Sequence, residues 1–285
     1  MHLPGTEPLA DRRIVFVGML RAQPALLERQ RFLTQAARHR EPLLGAELRE
    51  NAHLLRVGVV GAAHGRAMVD ASANSVLIGG CVARATIEDP RPMKLHNSIG
   101  PNPRVVRMFL AEKGVTVPLV TVDLLGGENR REPYLSKNPS GQLPCLELDD
   151  GSFLAEITAI CEYIEEKHPK PALIGTTPEE RAATRMWIRR IDLNIVEPMA
   201  NGFRYAEGLA LFKDRMRTIP QAADDLKAIA RDKLAWLDAQ IAGRDWIVPN
   251  RFTLADVLLY GFADFGATVG QPLDPAWKNL AAWRD

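Results

Sequence analysis

The sequence predicts an α/β domain over residues 93–171, an all-helical domain over residues 177–285 and a preceding extension, residues 1–92, with no assigned fold. Three observations predict this division. Strand and helix signals alternate through the first domain, apolar residues recur at helical spacing through the second, and the kind of basic residue changes near residue 92. The chain has 285 residues, which is enough for about two domains that each bury a core.

The extension differs from the rest of the chain in its basic residues. Met1 to Pro92 holds twelve Arg and no Lys, whereas Met93 to Asp285 holds fifteen Arg and nine Lys. The stretch Gly58–Gly65 loosely resembles a dinucleotide-binding loop, but it lacks the G-x-G-x-x-G spacing, so a Gly/Ala-rich loop is favoured. A transit peptide is less favoured because acidic residues are scattered through the stretch. We expect a poorly ordered extension, or an upstream reading that begins too early.

Composition limits the classes of partner. The formal net charge is +1 and the pI is near 7.8, so no basic field predicts nucleic-acid or membrane-surface binding. We expect small molecules and a second copy of the chain as partners. The three cysteines lack CxxC spacing and the six histidines are scattered, so neither a disulfide framework nor a metal site is predicted. Without an apolar stretch of about 18 residues or a signal-peptide pattern, we expect a soluble, cytoplasmic protein.

The first chemical clue is a turn that leads directly from a strand into a helix. Met93–Asn97 is a strand candidate, and Asn102 and Pro103 are a favourable N-cap and first residue for a helix that runs to Gly114. Free amides and the helix dipole at such an N-terminus stabilise an anion, whether phosphate, carboxylate or thiolate. They also lower the pKa of a nearby thiol.

The second clue is a proline that opens a strand. After a strand at Val117–Val122 and a loop with a short helix that carries Arg130 and Arg131, Pro144 follows Leu143 in a setting suited to a cis peptide bond. Such a bond presents the preceding residue's backbone outward, where it can pair with a peptide-like ligand.

A hairpin and a helix complete the predicted α/β domain. Cys145–Leu148 and Ser152–Leu154 flank an Asp-Gly pair, which favours a tight hairpin turn. A helix from Glu156 to about His168 follows, which places Glu156 at a helix start.

Three motifs together resemble the glutathione transferase family. They span Pro103–Gly114, Asn138–Leu146 and Asp150–Ile160. The resemblance implies the glutathione transferase fold, a thioredoxin-like N-terminal domain followed by an all-α C-terminal domain, with glutathione as co-substrate and no metal. Within the family, the chain looks most like the bacterial relatives of the second yeast-type glutathione transferase.

The resemblance also implies roles for individual residues. The backbone of Leu143 would pair with the cysteinyl unit of glutathione, Glu156 would hold the γ-glutamyl ammonium group, and Arg130 or Arg131 would hold the glycyl carboxylate. Alternatives from the residues themselves stay open, since Glu156 also suits a first helical turn and the arginines also suit a solvated surface. The implied glutathione-binding residues are Arg130, Arg131, Gln142, Leu143, Pro144, Glu156 and Ile157.

The chain departs from the family pattern at the catalytic position. Where serine-type members carry the hydroxyl, this sequence has Gly100, and no tyrosine or cysteine takes its place at the start of the domain. Ile157 replaces the usual serine after the anchoring glutamate, which leaves only its backbone amide for the γ-glutamyl carboxylate. Two candidates for thiol activation follow: Ser98, if the loop bends towards the sulfur, and the amides at the helix N-terminus around Asn102.

Capping signals and helical periodicity define the second domain. Thr177-Pro178 with Glu180 predicts a capped helix start, Pro198 predicts a helix end or kink, and Thr253 with Asp256 forms a second capping box. We assign the second box to folding. The acceptor pocket is predicted to lie between the first two helices of this domain and to include Phe203 and Tyr205.

The predicted function is conjugation of the glutathione thiolate to small electrophilic substrates by a homodimer. Two alternatives remain: a non-catalytic binding or assembly module of the same fold, and a glutathione-dependent isomerase or dehalogenase. Fold alone does not decide between them.

Overall fold

The computed structural model describes residues 92–285 and the backbone of three short strands before them. These strands, β1 (Met68–Asp70), β2 (Ser75–Ile78) and β3 (Cys81–Arg84), pair antiparallel in sequence order. The other residues of the extension, including Gly58–Gly65, lie outside the described residues, so the predictions for residues 1–92 as a whole stay predictions.

A four-stranded mixed sheet with three helices follows the extension. Strand order is β5-β4-β6-β7, with β4 and β5 parallel and the other neighbours antiparallel. The predicted succession of strands and helices is confirmed. The elements are β4 (Lys94–Asn97), α1 (Pro101–Glu112), β5 (Leu119–Thr121), α2 (Tyr134–Lys137), β6 (Cys145–Glu147), β7 (Phe153–Ala155) and α3 (Ile157–Lys167).

The two faces of this sheet differ in what covers them. Leu95 and Leu146 are register partners on β4 and β6, and both are fully buried in the main hydrophobic core with residues of α1 and α3. Because side chains alternate along a strand, their neighbours His96 and Cys145 occupy the opposite face. There Cys145 packs in a small cluster with Val122, Tyr134 and Leu143. This second cluster lies under the candidate site.

A buried ion pair fixes the connection to the helical part. Lys113 Nζ lies 2.7 Å from Glu165 Oε2, and both side chains are at most 2% exposed. Glu165 also accepts hydrogen bonds from the amides of Leu173 and Ile174, while Lys113 donates to the carbonyl of Pro171. One carboxylate and one ammonium group therefore tie α1 and α3 to the segment that leads into the helical domain.

The remainder of the described chain is helical. Its helices are α4 (Pro178–Ile191), α5 (Glu197–Tyr205), α6 (Leu209–Phe212), α7 (Ala223–Gln240), α8 (Leu254–Thr268) and α9 (Lys278–Arg284). Both predicted helix starts are confirmed: the Thr177 side chain accepts from the amide of Glu180, and Thr253 with Asp256 forms a complete capping box. The Glu180 carboxylate, however, bonds to Thr176 instead of closing a box with Thr177.

Pro198 does not end the helix, so of the two effects predicted for it, a helix end or a kink, the helix end is wrong. The segment Asp192–Val196 is π-helical and joins α4 to α5 without a break. Proline removes a backbone donor and crowds the preceding turn, and a wider turn just before it accommodates both effects. The helix therefore continues past Pro198 to Tyr205.

The two parts of the fold meet where α1 packs against α8. Gly261 allows close approach, because a Cβ atom there would lie 2.8 Å from Val105 Cγ2. Beside this contact, the buried Arg104 lies 2.6 Å from Asp264. In the part of the chain that the structure describes, no helix combines the length and apolar character needed to cross a membrane.

Candidate functional site

The cis peptide bond predicted before Pro144 is present, between Leu143 and Pro144. The carbonyl of the preceding Gln142 is held by Tyr134 Oη at 2.6 Å and Asn138 Nδ2 at 2.9 Å. In contrast, neither the amide nor the carbonyl of Leu143 forms a hydrogen bond within the described residues. The backbone is therefore fixed at Gln142, while the amide and the carbonyl of Leu143 remain available as one donor and one acceptor. A peptide ligand needs such a pair of free groups to form backbone hydrogen bonds.

Helix α1 begins two residues earlier than predicted. Gly100 is the N-cap and Pro101 the first helical residue, so Asn102 lies inside the first turn and is not the cap. Both Pro101 and Pro103 suit the first turn, and the local sequence permits either register.

This start leaves two free donors at the tip of α1. The first turn of a helix ordinarily has four unpaired N–H groups, but Pro101 and Pro103 have none, so only those of Gly100 and Asn102 exist. Neither has a hydrogen-bond partner among the described residues. The amides from Arg104 onward belong to the helical ladder, which narrows the predicted anion site to Gly100 and Asn102.

Ser98 lies in the loop before this tip, and its hydroxyl is already engaged. Ser98 Oγ donates to the carbonyl of Val122 at 2.7 Å, and the residue is 7% exposed. Arg107 of α1 contacts the carbonyl of Ser98 at 3.3 Å and the side chain of Asn97. Val122 also belongs to the buried cluster that contains Leu143, so the loop before α1 is bonded to a residue of the cluster under the free backbone edge.

Glu156 has an unusual backbone conformation at the start of α3. Its φ and ψ are 70° and 123°, one of two non-glycine residues with positive φ in the described part of the chain. Such conformations cost on the order of 1–3 kcal/mol and cluster at functional sites. The exposed carboxylate precedes Ile157, whose amide at the first helical position has no partner in the helix.

Arg130 and Arg131 point to different places. Arg131 donates to the carbonyl of Gly126 within its own loop, at 2.8 Å. Arg130 instead packs against Gly141: a Cβ atom, if Gly141 had one, would lie about 3.1 Å from the Arg130 side chain. Arg130 also donates to the carbonyl of Ser140 at 3.4 Å. Its buried Nε has no hydrogen-bond partner. Of the two candidates, only Arg130 lies against Gly141 and next to Gln142.

The buried thiol nearest the site is unsuited to nucleophilic attack. Burial raises the pKa of Cys145 to about 11, so the thiol stays protonated at neutral pH. Cys161 is fully buried and its pKa is raised for the same reason. Among the described residues, no group of three or more His, Cys, Asp or Glu side chains is arranged to hold a metal ion.

Comparison with known proteins identifies the family. The chain matches the glutathione S-transferase N-terminal domain over residues 99–167 and the corresponding C-terminal domain over residues 206–285. It is 32% identical to glutathione S-transferase 2 of Saccharomyces cerevisiae over 191 residues, covering 65% of this chain and 80% of the relative. The chain belongs to the glutathione S-transferase family.

Two further relatives broaden the picture of this member of the glutathione S-transferase family. Maleylacetoacetate isomerase of Pseudomonas aeruginosa is 33% identical over 177 residues, 61% of this chain and 81% of the isomerase. A crystal structure of a glutathione S-transferase domain-containing protein from Marinobacter aquaeolei superposes with a TM-score of 0.63 at 34% identity, covering 67% and 95% of the two chains. The thioredoxin-like and all-α fold predicted from the sequence is therefore confirmed.

The backbone conformation at position 100 favours glycine over a residue with a hydroxyl. Gly100 has φ 117° and ψ 168°, a region that is essentially restricted to glycine, although a Cβ atom there would contact nothing within 4 Å. There is space for a side chain at this position, but any residue other than glycine would be strained in this backbone conformation.

Asp192 is a candidate that sequence reasoning missed. It lies in the π-helical segment of the other domain, yet it interacts electrostatically with Glu156. Burial raises the pKa of Asp192, and the nearby carboxylates of Glu197 and Glu156 raise it further, against the opposing effect of Arg189. The available signal was a charged residue flanked by the apolar positions Ile191 and Ile195 on a predicted helix.

The predicted pocket residues have unlike surroundings. Phe203 is 4% exposed and lies in an aromatic cluster, with ring centroids 5.1 Å from Phe265 and 6.1 Å from Phe212. Its surroundings are those of a packing residue, and its part in the acceptor pocket stays a prediction. Tyr205 is half-buried at the end of α5, and its part in the pocket stays a prediction.

Proposed function

We propose that this protein is a glutathione transferase that transfers the glutathione thiolate to small electrophilic alkyl or aryl substrates. The observation that carries the proposal is the unpaired backbone edge of Leu143 beside the cis bond to Pro144. Leu143 shares a buried cluster with Val122, whose carbonyl accepts from Ser98 in the loop that leads to α1. Family membership supports a glutathione-dependent role, and this edge supports binding of a peptide.

Each charged group of glutathione would have a counterpart in the site. Leu143, flanked by Gln142 and Pro144, would pair with the cysteinyl backbone. Glu156 would hold the ammonium group, with Asp192 adding a second negative charge nearby. The amide of Ile157 would bind the γ-glutamyl carboxylate. For the glycyl carboxylate, the position of Arg130 favours it over Arg131, because charge-assisted bonds are the stronger kind.

Activation of the thiol would come from the tip of α1. The amides of Gly100 and Asn102 and the positive end of the helix dipole stabilise a thiolate relative to a thiol. Ser98 is the weaker candidate because its only hydroxyl proton is donated to Val122. Once formed, the thiolate attacks the electrophilic carbon, and the leaving group departs with the electron pair of the broken bond.

Titration of the bound thiol in the Ser98→Ala variant tests this assignment. In wild type and in Ser98→Ala, we expect the thiolate absorbance of bound glutathione to report a thiol pKa about one unit or more below the usual value. The reason is that the substitution leaves the N-terminus of α1 unchanged. Turnover of a chlorodinitrobenzene-type acceptor should be retained. A variant in which the thiol pKa returns to its usual value would make Ser98 the catalyst, and wild type without glutathione binding would refute the proposed function.

Asp192→Asn should stabilise the free protein while it weakens glutathione binding. The pKa of Asp192 is raised in the folded state, so its ionised form is less favourable there than in the unfolded chain. The variant's advantage in free energy of unfolding should be absent at low pH, where Asp192 is protonated in both states. It should grow as pH rises above the ordinary carboxyl pKa of the unfolded chain and be complete above the raised pKa of the folded protein. Urea unfolding across this range and glutathione titration measure both effects.

Asp232→Asn is the matched control, because Asp232 is exposed and has no hydrogen-bond partner among the described residues. If Asp192→Asn loses stability at neutral pH, or binds glutathione as tightly as wild type, Asp192 is not held in place for a ligand.

A glutathione-dependent isomerase is the second candidate, favoured by the 33% identity to maleylacetoacetate isomerase. The two reactions differ in whether glutathione is consumed, so the loss of free thiol during turnover separates them. A non-catalytic binding module is the third candidate, because Gly100 stands where serine-type members carry the catalytic hydroxyl. This candidate would be supported if the protein binds glutathione but reacts with no acceptor.

We further propose that the protein acts as a homodimer in the cytoplasm. The two free, buried thiols of Cys145 and Cys161 are consistent with a reducing compartment. Met186 and Leu193 are exposed apolar side chains on and just after α4, at 43% and 47%, and are consistent with an interface. Sedimentation measurements test the dimer.

A further inference from the structure

The segment after α6, residues 213–219, extends from the helical domain to the loop that follows β5. Arg215 is its point of contact: one terminal nitrogen donates to the carbonyl of Leu124 at 2.9 Å, and the other donates to Leu125 at 3.2 Å. These partners are 91 and 90 residues away in the sequence. The planar guanidinium thus binds two successive carbonyls at once, a geometry that lysine does not reproduce.

The loop after β5, residues 123–131, is braced from within. The Glu128 carboxylate accepts from the amide of Asp123 at 2.7 Å, Asp123 Oδ1 accepts from Gly126 at 2.8 Å, and Arg131 donates back to Gly126 at 2.8 Å. Because these bonds connect both ends of the loop, a constraint at Leu124 and Leu125 acts on the loop as a unit.

The far end of the same loop contacts the residues just before Gln142 and Leu143, where glutathione is proposed to bind. Asn129 Nδ2 donates to the carbonyl of Gly141 at 2.6 Å, and Arg130 contacts Ser140. Two buried atoms there, Asn129 Oδ1 and Arg130 Nε, have no hydrogen-bond partner. A continuous series of contacts therefore leads from Arg215 through the loop to the residues just before Gln142.

We propose that Arg215 is a positioning residue that sets the affinity for the glycyl end of glutathione by holding the loop that carries Arg130. This rests on the proposed function, and it assigns Arg215 no contact with the substrate. The thiol-activating tip of α1 lies on another element, so the thiol pKa is not under the control of Arg215.

The test compares binding of glutathione and of γ-glutamylcysteine, which lacks the glycyl residue, to Arg215→Met. We expect the dissociation constant for glutathione to rise about tenfold, in line with the loss of hydrogen bonds from a charged donor. That for γ-glutamylcysteine should change less than about twofold, and the thiol pKa of bound glutathione should stay at its wild-type value. Arg215→Lys should give an intermediate affinity.

Arg217→Met is the matched control, since Arg217 is exposed in the same segment and forms no hydrogen bond to the loop among the described residues. A double-mutant cycle of Arg215→Met with Arg130→Met should be non-additive, because Arg215 acts on the glycyl carboxylate only through Arg130.

Three results would overturn the proposal: unchanged glutathione affinity in Arg215→Met, equal weakening of both ligands, or a shifted thiol pKa. The last two would show a general structural role. Failure of the wild type to bind either ligand would instead refute the proposed function, so the two failures are distinguishable.

Discussion

Replacing Glu156 by glutamine should weaken glutathione binding about 10- to 150-fold, the loss expected for a hydrogen bond to a charged group. The substitution keeps the shape and the strained backbone of this residue but removes the charge that would face the ammonium group. The carboxylate is exposed and accepts no hydrogen bond from the described residues, so the fold does not depend on it. Isothermal titration calorimetry measures the change.

An analogue of glutathione without the amino group supplies the control for Glu156→Gln. Wild type and variant should bind this analogue equally, because the group that Glu156 would hold is missing from it. If the variant weakens both ligands to the same extent, or neither, Glu156 does not hold the ammonium group. Urea unfolding should give the same free energy for wild type and variant.

The largest expected effect on stability comes from Glu165→Ala. Removal of this carboxylate leaves the ammonium group of Lys113 buried with one carbonyl, and it leaves the amides of Leu173 and Ile174 without an acceptor. Breaking a buried pair by removing one partner costs about 3–5 kcal/mol. Unfolding in urea, followed by the fluorescence of the five tryptophans, measures the loss.

Two companion variants make the result for Glu165 interpretable. Glu166→Ala removes an adjacent, exposed carboxylate and should change the free energy of unfolding by less than about 0.5 kcal/mol. Lys113→Met should destabilise less than Glu165→Ala, because Glu165 keeps its two amide donors. If Glu165→Ala fails to fold, Lys113→Met still reports on the pair. A loss of less than about 1 kcal/mol in both Glu165→Ala and Lys113→Met would show that the pair does not hold the segment leading into the helical domain.

Features of the fold that depend on local chemistry could be predicted from the sequence. Thr253 with Asp256, the Asp-Gly hairpin and Pro144 each act through neighbours within a few residues, and each has a physical signature that can be seen in the sequence. The start of α1 was harder because Pro101 and Pro103 both suit a first turn. The register between them depends on the positive φ of Gly100, which no side chain indicates.

Features that depend on distant contacts could not be predicted. Arg215 reaches Leu124 and Leu125, and Asp192 comes near Glu156, only after the helical domain has packed, and these partners lie far away in the sequence. Glu165 gave a partial signal, since a charge beside the apolar positions Cys161 and Ile164 is buried only with a partner. Its partner, Lys113, is 52 residues away.

The conformation of Gly100 bears on how this chain relates to members that use a serine hydroxyl. A single codon change would supply the hydroxyl, and nothing nearby would obstruct it. The new residue would nevertheless be held at φ 117°, where an L-amino acid is strained, so the loop would have to refold before the oxygen served any purpose. Serine chemistry is therefore separated from this chain by a change of backbone as well as by a change of residue.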